Sequence, residues 1–409
     1  MRRSLFAILA MLLTLAAPAA AQDYDGQFRT WLQNDLWPDA ARAGVSRETF
    51  DAAFAGIRPN VRLPDLVLPG QSDAVPQAQH QAEFGSPGSY FAENVVAGVV
   101  NGGRGRAGRL QPVLAALEAR HGVPGGILLA IWGRESGFGN ADIPHNAIEV
   151  LATKAWAARR KEMFREEILA ALQMVERGVV RPDRMRSSWA GALGQPQFMP
   201  TSYLEHAVAF DGGARADIWG SEPDTLASIA NYLAHYGWVK GRDWGFEVTV
   251  PETVSCALEG PDRGRPIAEW ASMGIARVSG RPFPEHELRG EGYLMMPAGR
   301  HGPAFVVTPN FYVLKAYNES DLYALFVGHA ADRITWGGAP FRGAWGRVGG
   351  LMRSDVAAMQ RGLERLGYDV GGADGLAGFR TRRSIGDWQE RNGRAPTCFP
   401  DAGLVEALR

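Results

Sequence analysis

Cysteine is nearly absent from this chain: Cys256 and Cys398 are the only two among 409 residues. That excludes a cysteine-built metal centre. It leaves two readings open, one disulfide in an oxidising compartment or two free buried thiols. Spacing does not choose between them, because a bridge needs the two Cα atoms within about 7 Å of each other. Lysine is scarce too, with four residues in the whole chain, a bias that genome composition explains. None of the eight histidines has a partner at zinc spacing. The chain has no G-x-S-x-G elbow and no phosphate-binding glycine loop, so serine-hydrolase and nucleotide chemistries have no anchor. A concentrated basic patch is also missing, which argues against nucleic acid as a partner.

The longest apolar run opens the chain. Arg2 and Arg3 precede Leu5–Leu15, and Ala19-Ala20-Ala21 offers a small-residue cleavage site. This reads as an export leader removed after Ala21, too short for a confident membrane span. No cysteine lies near the new end, so no lipid anchor is expected. Two of the 43 basic residues leave with the leader, giving 41 against 44 acidic ones, a mature charge of −3. Apolar residues make up 46% of the chain, ample for a large core in two or three domains.

Apolar spacing predicts helices in 22–57, with Ser46 starting one of them, and then a proline- and glycine-rich wrapping segment. Helical patterning resumes at Tyr90 and continues to Gly237. Pro124 suits a first turn ahead of Ile127, Leu128, Ile131 and Trp132, and Asp224 suits the cap of a helix that Gly237 ends. From Trp244 to about Asn318 short strands and turns take over, with Tyr317 and Asn318 following a strand. A further helix follows. Residues 337–349 are glycine-rich and read as a linker, and 350–409 form a small helical unit.

Three stretches carry candidate chemistry. In "ILLAIWGRESGFG" (127–139), Glu135 shares a helix face with Leu128 and Ile131. An acid against apolar walls is harder to ionise, as a general acid requires; a glutamate paired with Arg134 or a distant arginine fits the same pattern. In "SSWAGALGQPQFMPTSYLEHA" (187–207), small residues surround Gln195 and Gln197, which suits either a cleft wall for a sugar or close helix packing. In "TPNFYVLKAYNESDLYA" (308–324), Tyr317, Asn318 and Tyr323 suit either sugar stacking or an aromatic core.

Taken together and in order, "HGVPGGILLAIWGRESGFG", "SWAGALGQPQFMPTSY", "DIWGSEPDTLASIANYLAHYGWVKG" and "NFYVLKAYNES" resemble the lytic murein transglycosylases of the B type, glycoside hydrolase family 103. The resemblance covers roughly residues 90–328. It implies a mainly α, α+β fold: a goose-type-lysozyme-like helical core with a small β-containing insertion, over residues 22–336. It also implies cleavage of the β-1,4 bond between N-acetylmuramic acid and N-acetylglucosamine in peptidoglycan, in the periplasm. The family's single catalytic glutamate falls on Glu135. Its substrate-binding positions fall on Ser188, Gln197, Tyr317, Asn318 and Tyr323, with Tyr90, Arg159 and Arg160 as further matches. Hydrolysis by water, or silent peptidoglycan binding, are the rival readings. No cofactor is implied. Where relatives carry an EF-hand-like calcium loop, this chain reads "AFDGGARADIW". Asp211 and Asp217 remain, but Ala209 and Gly213 replace expected ligands, so no metal is expected. The segment "LGYDVGGADGLAGFRTRRSIGDWQ" resembles a three-helix peptidoglycan-binding domain, whose attachment would raise the local substrate concentration. A monomer is expected, with glycan strands as partner and wall-synthesis enzymes as further candidates.

Overall fold

The computed structural model describes residues 23–71, 84, 86–346, 348 and 350–409. The export leader and its cleavage site after Ala21 lie outside the described residues. Two helices cross at the centre of the molecule. One is the 29-residue helix Glu93–His121, about 44 Å long at the helical rise, which ends where Gly122 turns left-handed. The other is Gly125–Ser136, buried along almost its whole length. A third helix, Asp321–Trp336, lies against both. Close approach depends on glycine: a Cβ on Gly126 would sit 2.9 Å from the Ala331 carbonyl oxygen, and one on Gly103 would sit 2.6 Å from Ile334. The helices Ala147–Ala157, Lys161–Glu176 and Glu222–His235 complete the main core. Among the described residues, no single helix is long and apolar enough to cross a membrane.

The expected capping at Ser46 holds, its side chain accepting the Thr49 amide. The wrapping segment lies along the helix Ala147–Ala157, where Val67 N donates to the Ala157 carbonyl and Asn60 N to Thr153 Oγ1. Two boundaries differ from the sequence reading. The helix placed at Asp224 begins at Glu222 with Ser221 as its cap. Asp224 instead accepts the amides of Phe210 and Asp217, 3.0 and 2.8 Å away, and so closes the loop in front of its own helix. The strand expected ahead of Tyr317 stops at Val307. Thr308 caps a new helix there, and Pro309 occupies its first position, where the missing N–H costs nothing.

The insertion is an antiparallel sheet in the order Arg265–Pro266, Glu291–Met295, Ala304–Val307, Gly245–Thr249, Ala276–Arg277. Its central strand Ala304–Val307 is buried on both faces. Phe305 and Val307 join the helical core, while Ala304 and Val306 face a second core built on Trp270, Phe246 and Leu294. The sheet therefore connects two cores.

Three helices, Arg353–Arg365, Phe379–Arg391 and Ala402–Leu408, form the C-terminal unit around Met359, Leu363 and Ile385. The open question of the cysteines is resolved as a disulfide, Cys256–Cys398, with Cα atoms 6.1 Å apart. Cys398 lies in the core of the insertion, so the C-terminal unit is bonded to the sheet. The stretch read as a linker also packs closely where it is described. Trp345 stacks on Phe91 at 5.2 Å, Phe341 lies 4.0 Å from His329, and Glu247 accepts the amides of Arg342 and Gly343. Aromatic side chains among the glycines dock a segment whose composition alone reads as flexible.

Candidate active site

Glu135 sits in the last turn of the buried helix, which ends in three consecutive left-handed residues: Gly137, Phe138 and Gly139, with φ of 56°, 63° and 79°. The turn is held from both sides. Ser136 Oγ accepts the Gly139 amide at 3.0 Å, and Phe138 packs edge-on against Trp132 at 5.2 Å. The Trp132 indole donates to Gln195 Oε1 at 2.8 Å, and Gln195 donates onward to the Trp219 carbonyl. Gln195 thus joins the loop 188–198 to the floor of the cleft. A Cβ on Gly139 would lie 2.6 Å from Gln195 Oε1. Gly139→Ala combines a strained left-handed alanine with loss of this hydrogen bond. The expected cost is about 2–3 kcal/mol in chemical denaturation; an unchanged denaturation midpoint would refute the account.

Two tyrosines close the carboxyl from above. Ser320 caps the helix Asp321–Trp336 by accepting the Tyr323 amide, which places the Tyr323 hydroxyl to donate to Glu135 Oε1 at 2.5 Å. Tyr317 ends the preceding helix and stacks parallel to Tyr323, with ring centroids 6.5 Å apart. Its own hydroxyl donates to the Pro196 carbonyl at 2.6 Å, next to Gln197. Tyr90 reaches the site through Arg134, whose guanidinium lies 4.7 Å from the Tyr90 ring and 4.9 Å from Phe326. The sequence reading offered Arg134 as an ion-pair partner for Glu135. In the structure it stacks between rings and acts on Glu135 through its charge.

Burial pushes the Glu135 carboxyl up to about 7, against the opposing pull of the Tyr323 hydrogen bond and the Arg134 charge. The residue keeps partial access to solvent. Among the described residues, no carboxylate is among the charges acting on it. Of the two acids downstream, Asp142 is exposed and Glu149 accepts the Asn60 side chain.

The remaining sequence candidates are less closely gathered. Gln197 is half-buried in a left-handed conformation (φ 53°) and donates to the Gly194 carbonyl at 2.8 Å. Ser188 Oγ accepts the amides of Ala190 and Ala192, shaping the start of the loop. Asn318 is exposed and accepts the Ser320 amide. Arg159 and Arg160 are exposed just past the end of the helix Ala147–Ala157, and Arg160 lies 6.0 Å from the Phe164 ring. Sequence reasoning passed over Trp189. It is 49% exposed beside Ser188, with the buried Lys154 ammonium 4.9 Å from its ring. A lone aromatic in a run of small residues was the available signal.

The loop resembling a calcium site does not fit the ion. Asp211 accepts the Gly213 amide, and Asp217 accepts those of Trp219 and Gly220. Ala209 and Gly213 bring no side-chain oxygen, and the two remaining carboxylates accept backbone amides, whereas calcium needs six to eight oxygen ligands in all.

Comparison with known proteins agrees with this architecture. Residues 27–332 match the family described as the transglycosylase SLT domain, and 352–408 match the putative peptidoglycan binding domain. The membrane-bound lytic murein transglycosylase B of Escherichia coli (strain K12) is 31% identical over 223 residues. That match takes in 52% of this chain and 58% of the relative, so the chain spans less than two thirds of that protein. SltB3 of Pseudomonas aeruginosa, solved in complex with NAG-anhNAM-pentapeptide, is 37% identical, covering 93% of this chain and 99% of that one with a TM-score of 0.81. Escherichia coli Slt35, solved in complex with calcium, is 27% identical over 62% of this chain and 80% of that one, with a TM-score of 0.51. With three quarters of its length matched in one block, the chain belongs to the SLT-domain transglycosylase family.

Proposed function

We propose that this protein is a lytic transglycosylase that cleaves the β-1,4 bond between N-acetylmuramic acid and N-acetylglucosamine in peptidoglycan. The observation that carries the reading is Glu135 itself: one carboxyl, poised near neutral pH, with no second acid among the described residues acting on it. Glycosidases that work through two carboxylates place them about 5–9.5 Å apart, and a neighbour at that range would perturb Glu135.

The chemistry then needs one residue twice. Tyr323 occupies Oε1 as a donor, so Oε2 is the oxygen that holds the acidic proton. Glu135 passes that proton to the glycosidic oxygen as the C1–O bond breaks. The 2-acetamido carbonyl of the muramoyl residue stabilises the cation forming at C1. The glutamate, now ionised, takes the proton of the muramoyl C6 hydroxyl, and O6 bonds to C1. The product is a 1,6-anhydro end, no water is consumed, and the glutamic acid is restored. Tyr323 aligns the carboxyl, while Tyr317, Gln197 and Tyr90 line the approach. Ser188, Asn318, Arg159 and Arg160 are assigned to the outer cleft and the peptide stem. The complex of SltB3 with NAG-anhNAM-pentapeptide supports this product class.

The C-terminal unit is assigned to wall binding, and the disulfide supports action in an oxidising compartment, the periplasm. Mass spectrometry of digested sacculi tests the reading. Anhydro-terminated muropeptides support it, reducing ends would transfer the reaction to water, and no release would leave only a binding protein.

Tyr323→Phe should lower kcat roughly tenfold by loosening the acid. It also removes a contact that holds the Glu135 pKa down. The alkaline limb of the pH–kcat profile, expected near 7, should therefore move upward. A downward shift would contradict the assignment.

A further inference from the structure

We propose that the C-terminal unit is a working part of the cleft, and that its Arg382 is a positioning residue for the tyrosines above Glu135. This inference goes beyond wall binding and rests on the reading of Glu135 and Tyr323 given above. Arg382 belongs to the helix Phe379–Arg391 of that unit, yet only 3% of its side chain is exposed. Its guanidinium forks onto Glu259 of the insertion, with Nε to Oε1 at 2.8 Å and Nη2 to Oε2 at 3.2 Å. Nη1 donates to the Ala377 carbonyl at 2.8 Å. Nη2 also reaches Asp321 Oδ2 at 3.4 Å.

Asp321 is the residue through which this contact reaches the site. It opens the helix that carries Tyr323 two positions later. Its other oxygen accepts Lys315 Nζ at 2.6 Å, and Lys315 lies two positions before Tyr317 on the other tyrosine helix. Lys315 and Asp321 thus clip the two helix ends together across residues 318–320, and Arg382 holds the clip from outside. Glu259, 1% exposed, has no other cation in contact among the described residues and accepts the Met296 amide. Removing the guanidinium would leave Glu259 buried with an uncompensated charge and take one of its cations from Asp321. A partner-less buried charge forces rearrangement, and displacement of the order of 1 Å at a reacting group costs up to about a hundredfold in rate.

The test uses the full-length protein and a GlcNAc–MurNAc tetrasaccharide, too short to gain from wall binding. Arg382→Met is expected to lower kcat roughly tenfold with KM within about twofold. It should also raise the alkaline limb of the profile, as Tyr323→Phe does. The double variant should lose little more than Tyr323→Phe alone, because both changes remove one alignment. Wild-type kcat and an unmoved limb on the tetrasaccharide, with a loss confined to whole sacculi, would overturn the proposal and leave the unit a tether. If Arg382→Met does not accumulate as folded protein, Arg382→Lys carries the test. It keeps the charge without the fork and should show a smaller fall with the limb moved the same way; wild-type behaviour would again overturn the proposal. Product analysis of the wild type keeps the two readings separate: reducing-end products would refute the transglycosylase chemistry while leaving the Arg382 comparison valid.

Discussion

Glu135→Gln is expected to abolish anhydro-muropeptide release, with a fall of at least about a thousandfold. The amide keeps the shape of the side chain and its contact with Tyr323, but it has no proton to give the leaving oxygen and no charge to take one from the C6 hydroxyl. A single substitution thus removes the acid of the first half-reaction and the base of the second. The same change should stabilise the protein at alkaline pH. The folded-state pKa of Glu135, about 7, lies above the ordinary glutamate value of 4.5. Its carboxyl favours the fold fully below the unfolded pKa and progressively less as pH rises through 7, because ionisation is resisted only in the folded state. Glutamine carries no such penalty. With partial solvent access discounted, the variant should gain about 2 kcal/mol over wild type at pH 8 and have little advantage at pH 4. Denaturant titrations at the two pH values measure this. Retained lytic activity would sink the mechanism, and a stability gain independent of pH would sink the account of the carboxyl.

The second large effect concerns the bridge between the insertion and the C-terminal unit. Cys256→Ala with Cys398→Ala should cost about 2–5 kcal/mol. The two cysteines are 142 residues apart in sequence, so the link removes many open conformations from the unfolded chain. Both are fully buried in the folded protein. Alanine avoids burying a new hydroxyl there, which serine would do. Loss of the bond leaves the ion pairs Arg382–Glu259 and Arg383–Asp262 across the interface, together with the hydrogen bonds of Ser255 to Glu390 and of Arg300 N to the Thr397 carbonyl. Wild type under reducing conditions should approach the variant in the same denaturation experiment. Equal stability of oxidised wild type and variant would mean that these contacts suffice.

The helical core was legible because its signals are local. Periodic apolar residues, Pro124 at a helix start and Gly237 just past a helix end act within a turn or two of the chain. The position of Glu135 on an inward face was legible for the same reason, and the ordered motifs from 121 to 320 made the family readable. Errors arose where a distant group competes with a local preference. Asp224 has cap chemistry, but the amides of Phe210 and Asp217 occupy its oxygens, so Ser221 takes the cap. The 337–346 stretch has the composition of a tether, and Phe341 and Trp345 find aromatic partners that nothing nearby in the sequence announces.

By itself, then, the sequence determined most of the helices, the candidate glutamate and the family, all of which depend on residues close together in the chain. The tertiary structure alone decided that the cysteines pair, that Gln195 braces Trp132 while Gln197 lies beside the Tyr317 contact, and that Tyr323 donates to Glu135 across 188 residues. It alone brings Arg382 to Asp321. Burial, and with it the ionisation of Glu135, depends on which surfaces meet, and spacing along one chain does not encode that in any readable form.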